Sequence, residues 1–152
     1  MKIWIDADAC PAPVKTIVFR ASQRVGISVT LVANHPARTP PSPLITAVRV
    51  SQDFDAADDF IVRNATASDL VITADIPLAA LLVAQGIPAL NPRGELYTKD
   101  NIQERLALRN LKEELRATGG ASGGPAPYRE RDKQAFANSL DRWLARQRAS
   151  QP

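Results

Sequence analysis

Five short apolar runs recur along this chain, and the alternation of these runs with helical stripes limits the possible folds more than any other feature. Lys2–Ile5, "ISVTLVA" (27–33), "AVRV" (47–50), "LVIT" (70–73) and "IPAL" (87–90) each have strand length, and "ISVTLVA" is rich in β-branched residues. Between the first two, Pro11 and Pro13 open a helix whose stripe Val14, Ile17, Val18, Ala21 and Val25 follows a 3.6-residue period, and Gly26 ends it. Further helices are expected over 55–66 and 77–84, after a proline-rich loop at 34–43. Strands that alternate with helices need crossover connections, and right-handed crossovers build a parallel sheet covered on both faces. The expected fold is therefore a three-layer α/β domain with a mostly parallel central sheet.

Beyond the last of these runs the pattern changes. "NPRGELYT" (91–98) reads as a turn with a short strand, and Thr98 is placed to cap a charged helix over about 99–117, with Ile102, Leu106, Leu108, Leu111 and Leu115 as its apolar positions. "TGGASGGPAP" (118–127) has the composition of a linker. "YRERDKQAFANSLDRWLARQ" is a last helix with Phe136, Leu140, Trp143 and Leu144 on one face. The chain of 152 residues thus reads as a single domain, with a core over about 1–98 and a helical C-terminal extension over about 99–148. Its size suits one sizeable core.

Composition narrows the class. A mean hydropathy of −0.18 and 45% hydrophobic residues describe a soluble globular chain. No run has the length to cross a bilayer, and Asp6 interrupts the opening apolar residues before a signal peptide could form. Cys10 is the single cysteine, so no internal disulfide forms, and a cytoplasmic location is expected. The net charge of +3 is unevenly spread: residues 1–90 hold seven Lys/Arg and eight acids (7 − 8 = −1), and residues 91–152 hold twelve and eight (12 − 8 = +4). All eight acids of the first part are aspartates. Short acids beside a basic C-terminal part suit metal-dependent work on a polyanion.

Several of those aspartates converge. In an open parallel sheet, ligands bind outside the carboxyl ends of the strands. Asp6 and Asp8, in "IWIDADACPAPVK", leave the end of the first strand, and Asp75, in "DLVITAD", leaves the end of a later one. Asp69 precedes its strand and falls at the opposite rim. In "FDAADDFIV" (54–62), Asp55, Asp58 and Asp59 share one helix face, opposite Ala57, Phe60 and Ile61. Taken singly, each acid has an ordinary structural role: Asp75 before Ile76-Pro77 and Asp8 before the first helix as caps, the others as a solvated helix start. Taken together, they make a carboxylate metal site whose smallest ligand set is Asp6, Asp58 and Asp75. Asp8, Asp55 and Asp59 would serve as further ligands or supporting groups. Oxygen donors without His or Cys favour Mg²⁺ or Mn²⁺ over zinc. Thr73 points the same way as Asp75 on its strand, where its hydroxyl would orient water. Arg93, in "NPRG", and Lys15, on the first helix, are candidates to hold substrate phosphate. His35, in a polar loop with no acid nearby in sequence, reads as a surface residue. Tyr97 and Tyr128 are the only exposed-looking aromatics in a set (Trp 2, Tyr 2, Phe 4) too sparse for a base-stacking platform, and Cys10 reads as a small packed residue rather than a nucleophile.

Five segments in order, "IDADACP", "FDAADDFIV", "DLVITADIPLA", "LNPRGELYT" and "GGP…RDKQAF", resemble the YaiI/YqxD family of small bacterial proteins over nearly the whole chain. That family is similar to the PIN and NYN nuclease-like domains, in which a first strand ends in an Asp-x-x-Asn-like turn, an aspartate-rich helix follows, and a later strand ends in "SGD". Asp6, Asp58 and Asp75 match those acidic positions. The resemblance implies a PIN-like fold and a Mg²⁺-dependent nuclease, with RNA preferred to DNA as substrate. Two other functions fit the same residues. "DADAC" meets part of the haloacid-dehalogenase signature, which would make Asp6 the covalent nucleophile of a phosphatase. A metal- or RNA-binding adaptor without turnover is the third reading.

Overall fold

The structure is a computed structural model that describes residues 1–119 and 126–149. Most of the expected linker at 118–127 therefore lies outside the described residues. Six strands form one sheet: β1 (Lys2–Asp6), β2 (Ser28–Ala33), β3 (Ile45–Arg49), β4 (Leu70–Ile72), β5 (Ala89–Leu90) and β6 (Leu96–Tyr97). Their spatial order is β3-β2-β1-β4-β5-β6. All neighbours are parallel except β5 and β6, which the turn at Asn91–Gly94 joins antiparallel. Five α-helices cover the two faces: α1 (Ala12–Val25), α2 (Ala56–Asn64), α3 (Ile76–Ala84), α4 (Ile102–Ala117) and α5 (Glu130–Ala149). The three-layer α/β architecture is as the alternation predicts. Among the described residues, no helix is long and apolar enough to cross a membrane.

Because side chains alternate across a strand, β1 sends Ile3 and Ile5 to one face and Trp4 to the other. The interior is accordingly two apolar clusters rather than the single core expected. One lies under α1 and α5 and gathers Val14, Val18, Phe136, Leu140 and Trp143 with Ile3, Leu31 and Ile72. The other lies under α2 and α3 and gathers Ile61, Leu78 and Leu82 with Trp4, Val32 and Val71. The last helix is thus part of the layer that α1 begins, not a peripheral addition.

Element ends differ from the expected ones for local reasons. Pro11 caps α1 from outside, because its fixed φ of −63° with ψ of 150° suits an extended cap, and the helix begins at Ala12. Gly26 closes it in the left-handed region at φ 72°. The third strand starts two residues early, at Ile45, which pairs with Val29. The run 87–90 pairs only at Ala89–Leu90. Ahead of α4, Thr98 and Asn101 exchange hydrogen bonds (Thr98 N–H to Asn101 Oδ1, 2.9 Å; Asn101 N–H to Thr98 Oγ1, 3.3 Å) and delay the helix to Ile102. The apolar stripe expected on α4 is mostly uncovered: Ile102 is buried, but Leu108, Leu111 and Leu115 are 45, 51 and 41% exposed.

Candidate metal centre

The strand order creates the site. From β1 the chain crosses through α1 to β2 on one side, and from β4 it crosses through α3 to β5 on the other. Right-handed crossovers running in opposite directions lie on opposite faces, which leaves a crevice at the carboxyl ends of β1 and β4, where the order reverses. Asp6 is the last residue of β1, and Asp75 stands at the N-terminus of α3, three residues past β4. Asp58 comes from the first turn of α2, whose apolar side packs on the face that carries Trp4 and Val32.

One carboxylate oxygen from each of Asp6, Asp58 and Asp75 lies within 4.8 Å of the other two. Asp6 is 4% exposed, and its Oδ2 accepts a hydrogen bond from Thr73 Oγ1 at 2.7 Å. The same Thr73 hydroxyl oxygen accepts the Asp75 N–H at 2.9 Å, so one buried side chain sets the position of two of the three acids. Asp75 Oδ1 accepts the Leu78 N–H at 3.0 Å. The residue is therefore both the helix cap that its sequence suggested and a member of the trio. Electrostatics follow from the crowding. Burial, with the carboxylates of Asp75 and Asp8 added, raises Asp6 to about 6, against the opposing hydrogen bond from Thr73. Burial, then Asp75, Asp6, Asp55 and Asp59 in turn, raise Asp58 to about 7. Three hard oxygen donors that disfavour one another's ionisation are suited to a divalent cation, which relieves the repulsion that raises them. The three carboxylates are a group that could hold a metal ion.

The other predicted residues take different places. Asp8 is outside the trio: its Oδ2 accepts the Asn34 N–H at 2.8 Å and its Oδ1 lies 2.7 Å from His35 Nδ1. His35, read from sequence as a surface residue without an acidic partner, has one because β2 delivers it beside β1. Asp59 is exposed and does not line the cleft, whereas Asp55 does, at a φ of 70° just before α2. The cleft holds about 300 Å³ and is walled also by Asn34, Asp53 and Phe54. Phe54 escaped the sequence reading, although it opens the acidic segment and stands outside the apolar stripe of the helix that follows.

Thr73 is oriented toward Asp6 rather than open to solvent. Arg93 pairs with Asp132 (Nη1 to Oδ2, 2.9 Å), donates from Nη2 to the Ala126 carbonyl and lies over the Tyr128 ring at 5.8 Å. It lines a neighbouring cleft of about 410 Å³ on the far side of Asp8 and Ala9, with Cys10, Asn91 and Tyr128. Lys15 is half-buried, lines neither of these clefts, and its charge acts on Cys10. Burial drives the Cys10 thiol far up, and its Sγ lies 3.6 Å from the Ile72 carbonyl, in keeping with a packed residue. Tyr97 is buried at 4% exposure, with its hydroxyl oxygen accepting from Asn91 Nδ2, and Tyr128 is half-buried with its hydroxyl donating to the Pro92 carbonyl at 2.8 Å. Neither is the free surface tyrosine expected. Asp69, at the amino end of β4, accepts from Trp4 Nε1 at 3.0 Å and from the Thr66 N–H, a structural role at the opposite rim.

Comparison with known proteins adds a family. The family described as "Uncharacterized BCR, YaiI/YqxD family" matches residues 4–146. Similar curated proteins include a UPF0178 protein of Bordetella avium, 61% identical over 149 residues (98% of this chain, 97% of the relative). One from Halorhodospira halophila is 59% identical over 146 residues (96% and 97%), and one from Shewanella amazonensis 58% over 146 residues (96% and 98%).

Proposed function

This chain belongs to the YaiI/YqxD family, and from that premise and its aspartate trio we propose that it is a Mg²⁺- or Mn²⁺-dependent nuclease that hydrolyses phosphodiester bonds, in RNA rather than DNA. The observation that carries the reading is the meeting of Asp6, Asp58 and Asp75, from three separate elements, within 4.8 Å at the reversal point of the sheet. Asp6, Asp58 and Asp75 would hold the ion. When bound, it supplies charge to the phosphoryl oxygens and lowers the pKa of a water. The protein's own contribution is positional. Thr73 fixes the Asp6 carboxylate and the start of α3 together, and the α3 cap orients Asp75, so little reorganisation accompanies binding. The preference for RNA rests on similarity to the PIN and NYN nuclease-like domains. A covalent phosphatase with Asp6 as nucleophile is less well supported, since both oxygens of Asp8, its would-be acid–base partner, are taken by Asn34 and His35.

The test begins with calorimetry of Mn²⁺ and Mg²⁺ binding to the wild type and to Asp6→Asn, Asp58→Asn and Asp75→Asn. The expected result is binding by the wild type that each substitution weakens, together with Mn²⁺-dependent cleavage of single-stranded RNA that each abolishes. Metal binding without cleavage of any nucleic acid would favour the adaptor reading. No binding by the wild type in millimolar Mn²⁺ would remove the basis of the proposal.

A further inference from the structure

Phe54 is 94% exposed, and it lines the same cleft as Asp6, Asp58 and Asp75. Exposing a whole phenyl ring forgoes the burial that apolar side chains ordinarily gain. The backbone on either side of the ring is tied by local hydrogen bonds. Ser51 Oγ donates to Asp53 Oδ2 at 3.1 Å, the Ala56 N–H reaches the Asp53 carbonyl at 3.1 Å, and the Asp59 N–H reaches the Asp55 carbonyl at 2.8 Å. Between these bonds Asp55 adopts a φ of 70°, the one positive φ at a residue other than glycine among the described residues. Aspartate tolerates this left-handed conformation better than most residues, and at Asp55 it turns the chain into α2 directly after Phe54. An apolar destination exists close by: Phe60, six residues on, packs edge-on against Trp4 with ring centroids 6.1 Å apart. The segment sends one phenylalanine to the core and presents the other at the mouth of the cleft.

We infer that Phe54 is a stacking platform for an unpaired nucleobase of the substrate whose phosphate the aspartate trio engages. The inference rests on the nuclease reading and deepens it by naming the strand state of the substrate. Asp53 and Asp55 flank the ring, so the surface around it repels every phosphate except one held through a divalent cation. The part of a nucleic acid that fits there is uncharged and planar. A base has that form, and stacking on an aromatic ring is sequence-tolerant because every base has a π-face. A duplex does not fit, because its bases are already stacked on one another and its backbones would carry phosphates over Asp53 and Asp55.

The experiment measures binding of a short fluorescein-labelled 2′-O-methyl oligoribonucleotide in Mn²⁺ by anisotropy, with wild type, Phe54→Ala, Phe54→Trp and Asp58→Asn. Phe54→Ala is expected to bind about ten-fold more weakly, the loss of one stacking contact, and Phe54→Trp to bind at least as tightly as wild type. Calorimetric Mn²⁺ binding by Phe54→Ala should equal that of wild type. An oligonucleotide of abasic residues should bind wild type and Phe54→Ala alike, a readout that a merely structural role would not move. Equal binding of the base-bearing oligonucleotide by wild type and Phe54→Ala, with Asp58→Asn impaired, would overturn this inference and leave the nuclease reading standing. So would sedimentation showing a wild-type dimer that Phe54→Ala converts to monomer without loss of oligonucleotide binding, since the ring would then be a contact between copies. Absence of Mn²⁺-dependent binding by the wild type would overturn both.

Discussion

Neutralising Asp58 should stabilise the metal-free protein while weakening its hold on metal. Asp58 sits at about 7 against an ordinary value of 3.8, for reasons of burial first and neighbouring carboxylates second. Moving a carboxyl that far corresponds to about 4 kcal/mol, at about 1.36 kcal/mol per pH unit. The side chain is only half-buried, and solvent screening reduces this to about 2 kcal/mol. Loss of a favourable charge in the first turn of α2 subtracts about 0.5 kcal/mol, leaving about 1.5 kcal/mol. The sign follows from the direction of the shift. A carboxyl raised in the folded state favours folding while protonated, so its contribution is complete below about pH 4 and is lost as pH rises through about 7. In chelator at pH 8, Asp58→Asn should therefore melt about 3–6 °C above wild type, and at pH 4 the two should coincide. Thermal and urea unfolding would measure both. Excess Mn²⁺ should reverse the order at pH 8, because a ligand that binds only the native state stabilises the protein that binds it better. The exposed Asp59→Asn should stay within about 0.5 kcal/mol of wild type. Equal or lower stability of Asp58→Asn in chelator at pH 8 would refute the view that the trio is held together against its own repulsion.

Two further substitutions probe the scaffold of the site. Thr73→Val keeps the buried volume but removes the donor to Asp6 and the acceptor for the Asp75 N–H; unfolding should show a loss of about 1–3 kcal/mol, and calorimetry about ten-fold weaker Mn²⁺ binding. Gly94→Ala places a Cβ 2.7 Å from the Ala135 carbonyl oxygen at a φ of 94°, where α5 crosses the β5–β6 turn; it should cost at least about 2 kcal/mol by urea unfolding. Wild-type stability there would mean that α5 yields at little cost.

The acidic trio was legible because Asp6 and Asp75 each follow an apolar run and Asp58 opens a helix, so topology alone brings them to one rim. The helix aspartate that joins them is Asp58, the one in the smallest expected ligand set, whereas Asp59, expected as a further ligand or supporting group, does not. Asp58 and Asp59 differ by 100° of rotation, and only the packing of Ile61 under the sheet face with Trp4 and Val32 turns the first toward the cleft and the second to solvent. The Asp8–His35 pair was hidden for a similar reason, since it joins the turn after β1 to the residues after β2. Arg93 looked like a free phosphate contact because nothing local announces Asp132, which α5 brings from far along the chain.

Helix stripes carried the same division. The stripe through Phe136, Leu140, Trp143 and Leu144 is buried with α1, whereas Leu108, Leu111 and Leu115 on α4 stay exposed, although both looked amphipathic. Periodicity records that a face is apolar but not what meets it. By itself, then, the sequence determined the elements, the class of sheet and the rim at which the acids gather, because period and turn chemistry are local properties of the chain. The strand order, the second acidic neighbour that faces away, the partners of His35 and Arg93 and the outward Phe54 were decided only by tertiary structure, because they depend on contacts and backbone conformations that sequence spacing does not encode.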